Sequence, residues 1–188
     1  MTAQPASAAQ PAPVLGIAGW SGAGKTTLLA AVIPRLTAAG LRVALVKHAH
    51  HRFDVDHPGK DSHRLREAGA REVLITSARR HVRIVERAEP RDPVLEEELA
   101  RVDRQRNDLV LVEGFRHAPI PKLEVWRAAR GEPPLYPGDA HILAVVTDSP
   151  EQVDTRLPVL ALDQPESVAA FIRRWLEEVR QPRAPQNE

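Results

Sequence analysis

The 188-residue chain contains no cysteine, which excludes disulfides and thiolate metal sites together. It has no apolar run of 18 residues, and its first residues show no basic region followed by an apolar one, so neither membrane insertion nor secretion is expected. An excess of charge is also missing. With 26 basic and 25 acidic side chains the net charge is +1, too little to draw nucleic acid or an anionic membrane by electrostatics. Lysine is scarce: 22 of the cations are Arg, and only Lys25, Lys47, Lys60 and Lys122 are Lys. A chain that writes its cations as Arg has reason to keep Lys where a compact ammonium is needed instead of a planar fork. A soluble cytoplasmic protein is the expectation from these absences.

What is present begins with GWSGAGKTT at Gly19 to Thr27. A Gly, four residues and Gly-Lys-Thr, entered from the apolar run Val14 to Ala18 and left by an amphipathic stretch, is the P-loop pattern. Its glycines let the backbone approach phosphate oxygens closely enough for successive N–H groups to converge on them. Lys25 places a charge on the β and γ phosphates, and the Thr26 hydroxyl can ligate the bridging Mg²⁺. The expected nucleotide contacts are Gly19, Ser21, Gly22, Ala23, Gly24, Lys25, Thr26 and Thr27.

The 43% hydrophobic content suits one domain over 14–180, between a disordered Ala/Pro-rich leader at 1–13 and a polar tail at 181–188. Strands are expected near 14–19, 41–47, 73–77, 81–86, 108–114, 123–126 and 141–146, and helices over 25–39, from about 61 to 68, within 93–102 and after Asp163. Asp61 or Ser62 is the expected cap of the second helix, and Asp163 with Glu166 has capping-box spacing before the last. The fold class is α/β: a P-loop NTPase-type three-layer sandwich, mostly parallel, with an antiparallel edge near His81 to Glu86.

Three further constellations carry chemistry. Glu113 ends the most apolar strand, where a P-loop needs a second acidic group for Mg²⁺, and Gly114 beside it lets a backbone N–H reach a terminal phosphate. The stretch Lys47 to Leu65 holds five of the eight histidines and three aspartates without an apolar period. Of these acids Asp61 is placed with Thr26 and Glu113 as a metal ligand; Asp54 and Asp56 are further candidates for metal or polar substrate, or all belong to a solvated turn. His48, His50 and His51 suit either polar substrate contact or a transition metal. Asp148, at a strand tip, can accept the N1–H and exocyclic amine of guanine, or simply cap a turn.

AGWSGAGKTTLL, VKHAHHRFDVDHPGKDSHRLREAGA and LVLVEGFRH together resemble the molybdopterin-guanine dinucleotide biosynthesis protein B family, in the same order from about Val14 to Val179. The resemblance implies a cytoplasmic homodimer that binds GTP and Mg²⁺, hydrolyses GTP weakly, and serves as adaptor to the guanylyltransferase that joins GMP to molybdopterin. It makes Gly22, Gly24, Lys25, Thr26 and Thr27 the nucleotide positions, Lys25 and Glu113 the catalytic pair, Glu113-Gly114 the second phosphate and metal motif, and Asp148 a guanine contact. His48 to Ser62 becomes a mobile switch-like or substrate-facing loop. Where many GTPases carry Asn-Lys-x-Asp, this chain has Val145-Val146-Thr147-Asp148. Two other classes use the same residues: a small-molecule kinase with Asp54, Asp56 or Asp61 as base, and a nickel-type metallochaperone GTPase built on His48, His50 and His51.

Overall fold

The computed structural model describes residues 10–49 and 55–181. The chain divides into two compact units, Met1–His48 with Val94–Glu188, and Ala49–Pro93, where length and composition suggest one domain over 14–180. The leader and tail expected at 1–13 and 181–188 lie largely outside the described residues.

The first unit is built on six strands, all parallel: β1 (Val14–Ala18), β2 (Val43–Lys47), β5 (Leu109–Glu113), β6 (Lys122–Trp126), β7 (Ile142–Thr147) and β8 (Val159–Ala161), in the order β2-β5-β1-β6-β7-β8. β5 is apolar along its length because it is buried along its length, as a strand covered on both faces must be. Helices α1 (Lys25–Ala38) and α4 (Pro165–Arg180) pack on one face, where Leu29, Val32, Leu36, Val168, Ile172 and Leu176 meet Leu15, Ile17, Leu111 and Val125. On the other, Leu95 of the short α3 (Leu95–Leu99) joins Val110 and Val112. Fully burying each such side chain stabilises the fold by about 1.5–3 kcal/mol. At the foot of the sheet Asp108 accepts from the backbone and guanidinium of Arg42, which holds its carboxyl well below the usual carboxylate range.

In the second unit α2 (Asp61–Glu67) precedes β3 (Glu72–Thr76) and β4 (His81–Val85), which pair antiparallel with Val73 opposite Ile84 and Ile75 opposite Val82. Asp56 is buried, accepts a hydrogen bond from Ser62 at 2.8 Å and lies 3.5 Å from Arg66, which pairs with Glu86 at 2.7 Å.

Three local expectations are corrected. The antiparallel strands form a two-stranded sheet of their own instead of an edge of the main sheet: the Ser77–Arg80 turn folds β4 back onto β3, and neither pairs with a strand of the first unit. Lys60, not Asp61 or Ser62, occupies the cap position of α2, with Ser62 engaged by Asp56. Gln164 occupies that of α4, and no side chain caps it: Glu166 is held instead by Arg35 of α1. The three-residue β8 is too short to signal a strand in the sequence.

Candidate nucleotide and metal site

β1 is flanked by β5 and β6, so the loop leaving its carboxyl end starts where the strand order reverses, the position at which open parallel sheets bind ligands. Gly19 leaves the strand at φ 132°, and a Cβ there would lie 2.3 Å from the Val125 carbonyl oxygen, so only glycine fits. Gly24 caps α1 in the left-handed region at φ 102°, which starts the helix on Lys25. Ala23 is buried, while Ser21, Gly22, Thr26 and Thr27 face solvent. The Lys25 ammonium donates to the carbonyls of Gly19 at 2.9 Å and Trp20 at 2.8 Å, folding its stem across the loop. Burial pushes the Lys25 pKa down; repulsion by Lys47 and Arg116 adds to this and Glu113 opposes it. Three cations around one carboxylate suit a polyanion, which relieves their repulsion as it binds.

The tip of β5 brings Glu113 against the start of α1. Thr26 Oγ1 donates to Glu113 Oε1 at 2.8 Å, and Lys47, beside Glu113 in the β2–β5 register, places Nζ 3.1 Å from Thr26 Oγ1 and 3.2 Å from Glu113 Oε2. Glu113 Oε2 is buried without a hydrogen-bond partner. A hydroxyl and a carboxylate held together, with one carboxylate oxygen met by the Lys47 ion pair and by no hydrogen bond, fit Mg²⁺, which takes one or two protein oxygens and completes its shell with water and phosphate. Gly114 follows at φ 100°, its Cα side against His48, where a Cβ would come within 2.8 Å of the His48 Cβ. The expected pair Thr26–Glu113 is thus assembled within the first unit. Asp61 lies in the second, almost wholly exposed and 3.9 Å from Arg64, and among the described residues no three His, Asp or Glu side chains come together as a metal site. His48 packs on Phe115 with ring centroids 5.1 Å apart; His50, His51 and Asp54 lie outside the described residues.

The segment after β6 lies against the P-loop. Trp20 Nε1 donates to the Pro133 carbonyl at 2.8 Å, the Arg116 guanidinium stacks 4.2 Å over the Trp20 ring, and the Arg130 guanidinium packs against Gly22. Trp20, Arg116, Arg130 and Lys47 are site residues to which the motif assigns no role. Only Lys47 left a trace in composition, as one of four lysines. Asp148 stands at the tip of β7 as expected, held by Arg127 Nε at 2.6 Å, which draws its carboxyl below the usual range.

Comparison with known proteins identifies relatives of the whole chain. A sequence profile of the family described as molybdopterin guanine dinucleotide synthesis protein B matches residues 14–148. The chain is 41% identical over 166 residues to the molybdopterin-guanine dinucleotide biosynthesis adapter protein of Escherichia coli K12, covering 88% of this chain and 94% of that one. It is 42% identical over 164 residues to the adapter protein of the same description from Haemophilus influenzae, covering 87% and 89%. Among solved structures, a molybdopterin-guanine biosynthesis protein B superposes with TM-score 0.63 at 29% identity over 86% of this chain and 99% of that one. A homolog from Bacillus stearothermophilus, at 23% identity, shares the fold with TM-score 0.66 over 88% and 98%. A profile spanning the P-loop, Glu113 and Asp148, with relatives above 40% identity along nearly their whole length, places this chain in the molybdopterin guanine dinucleotide synthesis protein B family.

Proposed function

We propose that the protein is a GTP-binding adapter in molybdopterin guanine dinucleotide biosynthesis. It acts in the cytoplasm as a homodimer with the guanylyltransferase that attaches GMP to molybdopterin, and hydrolyses GTP only slowly. The observation that carries the reading is the Thr26–Glu113 pair beside Lys25 at the end of β1, in a chain of this family. The loop N–H groups and Lys25 bind the triphosphate, and Thr26 and Glu113 hold Mg²⁺, which neutralises charge on the β and γ oxygens. Asp148 supplies the guanine contact, exchanging its bond to Arg127 for the base. On this reading water, and not a metabolite hydroxyl, is the acceptor of the γ-phosphate.

The test is equilibrium binding of GTP, GDP and ATP with and without Mg²⁺. Wild type is expected to prefer GTP·Mg²⁺. Lys25→Ala abolishes triphosphate binding, and Asp148→Ala weakens GTP by about a hundredfold, as the loss of two hydrogen bonds to a charged group requires, while leaving ATP unchanged. Equal losses for both nucleotides in Asp148→Ala would remove the guanine assignment, and phosphate transfer to a small molecule would replace the adapter reading by a kinase.

A further inference from the structure

Lys47 contacts both protein oxygens assigned to the metal. Its Nζ donates to Thr26 Oγ1 at 3.1 Å and lies 3.2 Å from Glu113 Oε2. A hydroxyl has one proton and two lone pairs. The Thr26 proton is committed to Glu113 Oε1 at 2.8 Å, so the lone pair that Lys47 takes is drawn from those a metal ion would need. Glu113 is buried, and a buried carboxylate demands a cation. Two cations answer that demand at the same place, and they exclude each other by contact and by charge.

We propose that Lys47 is a tethered competitor of the divalent cation at the Thr26–Glu113 pair, so that metal loading expels its ammonium and metal loss lets it return. This rests on reading that pair as the Mg²⁺ site. The residue type fits the role: an ammonium is a compact point charge that can meet the Thr26 hydroxyl and Glu113 Oε2 at once, whereas Arg, which this chain uses for 22 of its 26 cations, presents a planar fork. Its placement fits too. Lys47 ends β2 in register with Glu113, and its side chain is 47% exposed, leaving room to swing out without crossing the core. A metal ion taken up there would add its charge to those of Lys25 and Lys47, so loading is costly until an anion is present. The device therefore discourages metal binding by the bare protein and favours metal that arrives with phosphate.

Mn²⁺ alone, with no nucleotide, is the probe, read by electron paramagnetic resonance and by the shift in thermal midpoint on the full chain. Wild type is expected to bind it weakly. Lys47→Met removes the competitor and leaves Glu113 without its cation, so Mn²⁺ affinity rises by about tenfold or more, as removal of a like charge at this range requires, and Mn²⁺ raises the midpoint far more than in wild type. Lys47→Gln, which keeps a polar tip without charge, gives the same direction should the Met variant fold poorly. Adding Glu113→Gln to Lys47→Met abolishes the gain. Equal Mn²⁺ affinity in wild type, Lys47→Met and Lys47→Gln overturns the proposal, as does a gain that survives Glu113→Gln. Failure of the adapter reading shows separately, as loss of GTP preference in wild type.

Discussion

Among the described residues, Lys122 is the largest side chain that is completely buried. Its ammonium donates to the carbonyls of Arg116 at 3.0 Å and Ala118 at 2.9 Å and pairs with Asp139 at 2.5 Å, which uses all three of its protons. Its stem explains a neighbour: at Gly16, opposite Lys122 in the register of β1 and β6, a Cβ would lie 2.6 Å from the Lys122 Cγ. The scarcity of lysine marks Lys47, Lys60 and Lys122 as places for a compact ammonium, and at Lys47 and Lys122 the geometry supplies the reason. Lys60 only precedes α2, exposed. Lys122→Met should lower stability by about 2–4 kcal/mol, because Asp139 and two carbonyls lose their partner while one side of the cage still reaches water. Lys122→Arg should fail similarly, its fork meeting a cage shaped for a point charge. Urea unfolding measures both, and an unchanged midpoint in Lys122→Met would show that the cage contributes nothing.

At the level of elements, β6 explains how the rim of the site is held. Its residues alternate: Leu123 and Val125 enter the main core, while Lys122, Glu124 and Trp126 point to the other face, and all three reach into the segment that follows. Glu124, fully buried, accepts the backbone N–H groups of Leu135 at 2.7 Å and Tyr136 at 2.8 Å, and Trp126 Nε1 donates to the Glu132 carbonyl at 3.0 Å. Burial pushes the Glu124 carboxyl up, and the two N–H bonds work against it. The Pro133 that meets Trp20 of the P-loop lies between these anchors. The strands, the P-loop and Glu113 were legible because periodicity and spacing are local properties. The anchoring of 132–139 was not, since a Pro/Gly-rich stretch announces a turn and is silent about the buried carboxylate that fixes it. Nor was the capping of α4 legible: Glu166 has the right spacing, but a guanidinium from α1 outcompetes the helix terminus. Glu124→Ala should leave two part-buried N–H groups without their acceptor, at about 1–3 kcal/mol together with the relaxation of the loop. It should also make the stretch after Trp126 the first site of limited proteolysis and weaken GTP binding through the lost Trp20 contact. A variant as protease-resistant as wild type would count against this assignment.

At the scale of the whole molecule, the second unit has more apolar surface than its own contacts cover. β3 and β4 carry Ile75 and Val82 on one face and Leu74 and Val85 on the other, and all four are exposed, Leu74 at 61% and Val85 at 52%. A two-stranded sheet alone is marginal in water, and one with apolar residues on both faces and free ladder groups along its edges invites another chain. For the proposed homodimer, a second copy of this hairpin is the natural cover, since an isologous contact pairs each apolar patch with itself, and the Glu72–Arg83 pair, 2.7 Å within one chain, lies beside Leu74 and Val85 on the same face to meet its counterpart. The expected outcome is specific. Wild type should sediment as a dimer, and Leu74→Glu with Val85→Glu should sediment as a monomer, because four carboxylates brought together across a two-fold contact cost far more than the lost apolar area alone. Leu74→Ala should weaken the dimer without abolishing it. The P-loop, Thr26 and Glu113 belong to the first unit, so the monomeric variant should keep its affinity for GTP·Mg²⁺, which separates loss of assembly from loss of fold. A charged variant that still sediments as a dimer would move the interface away from this hairpin, and a monomeric wild type would remove the homodimer from the proposal.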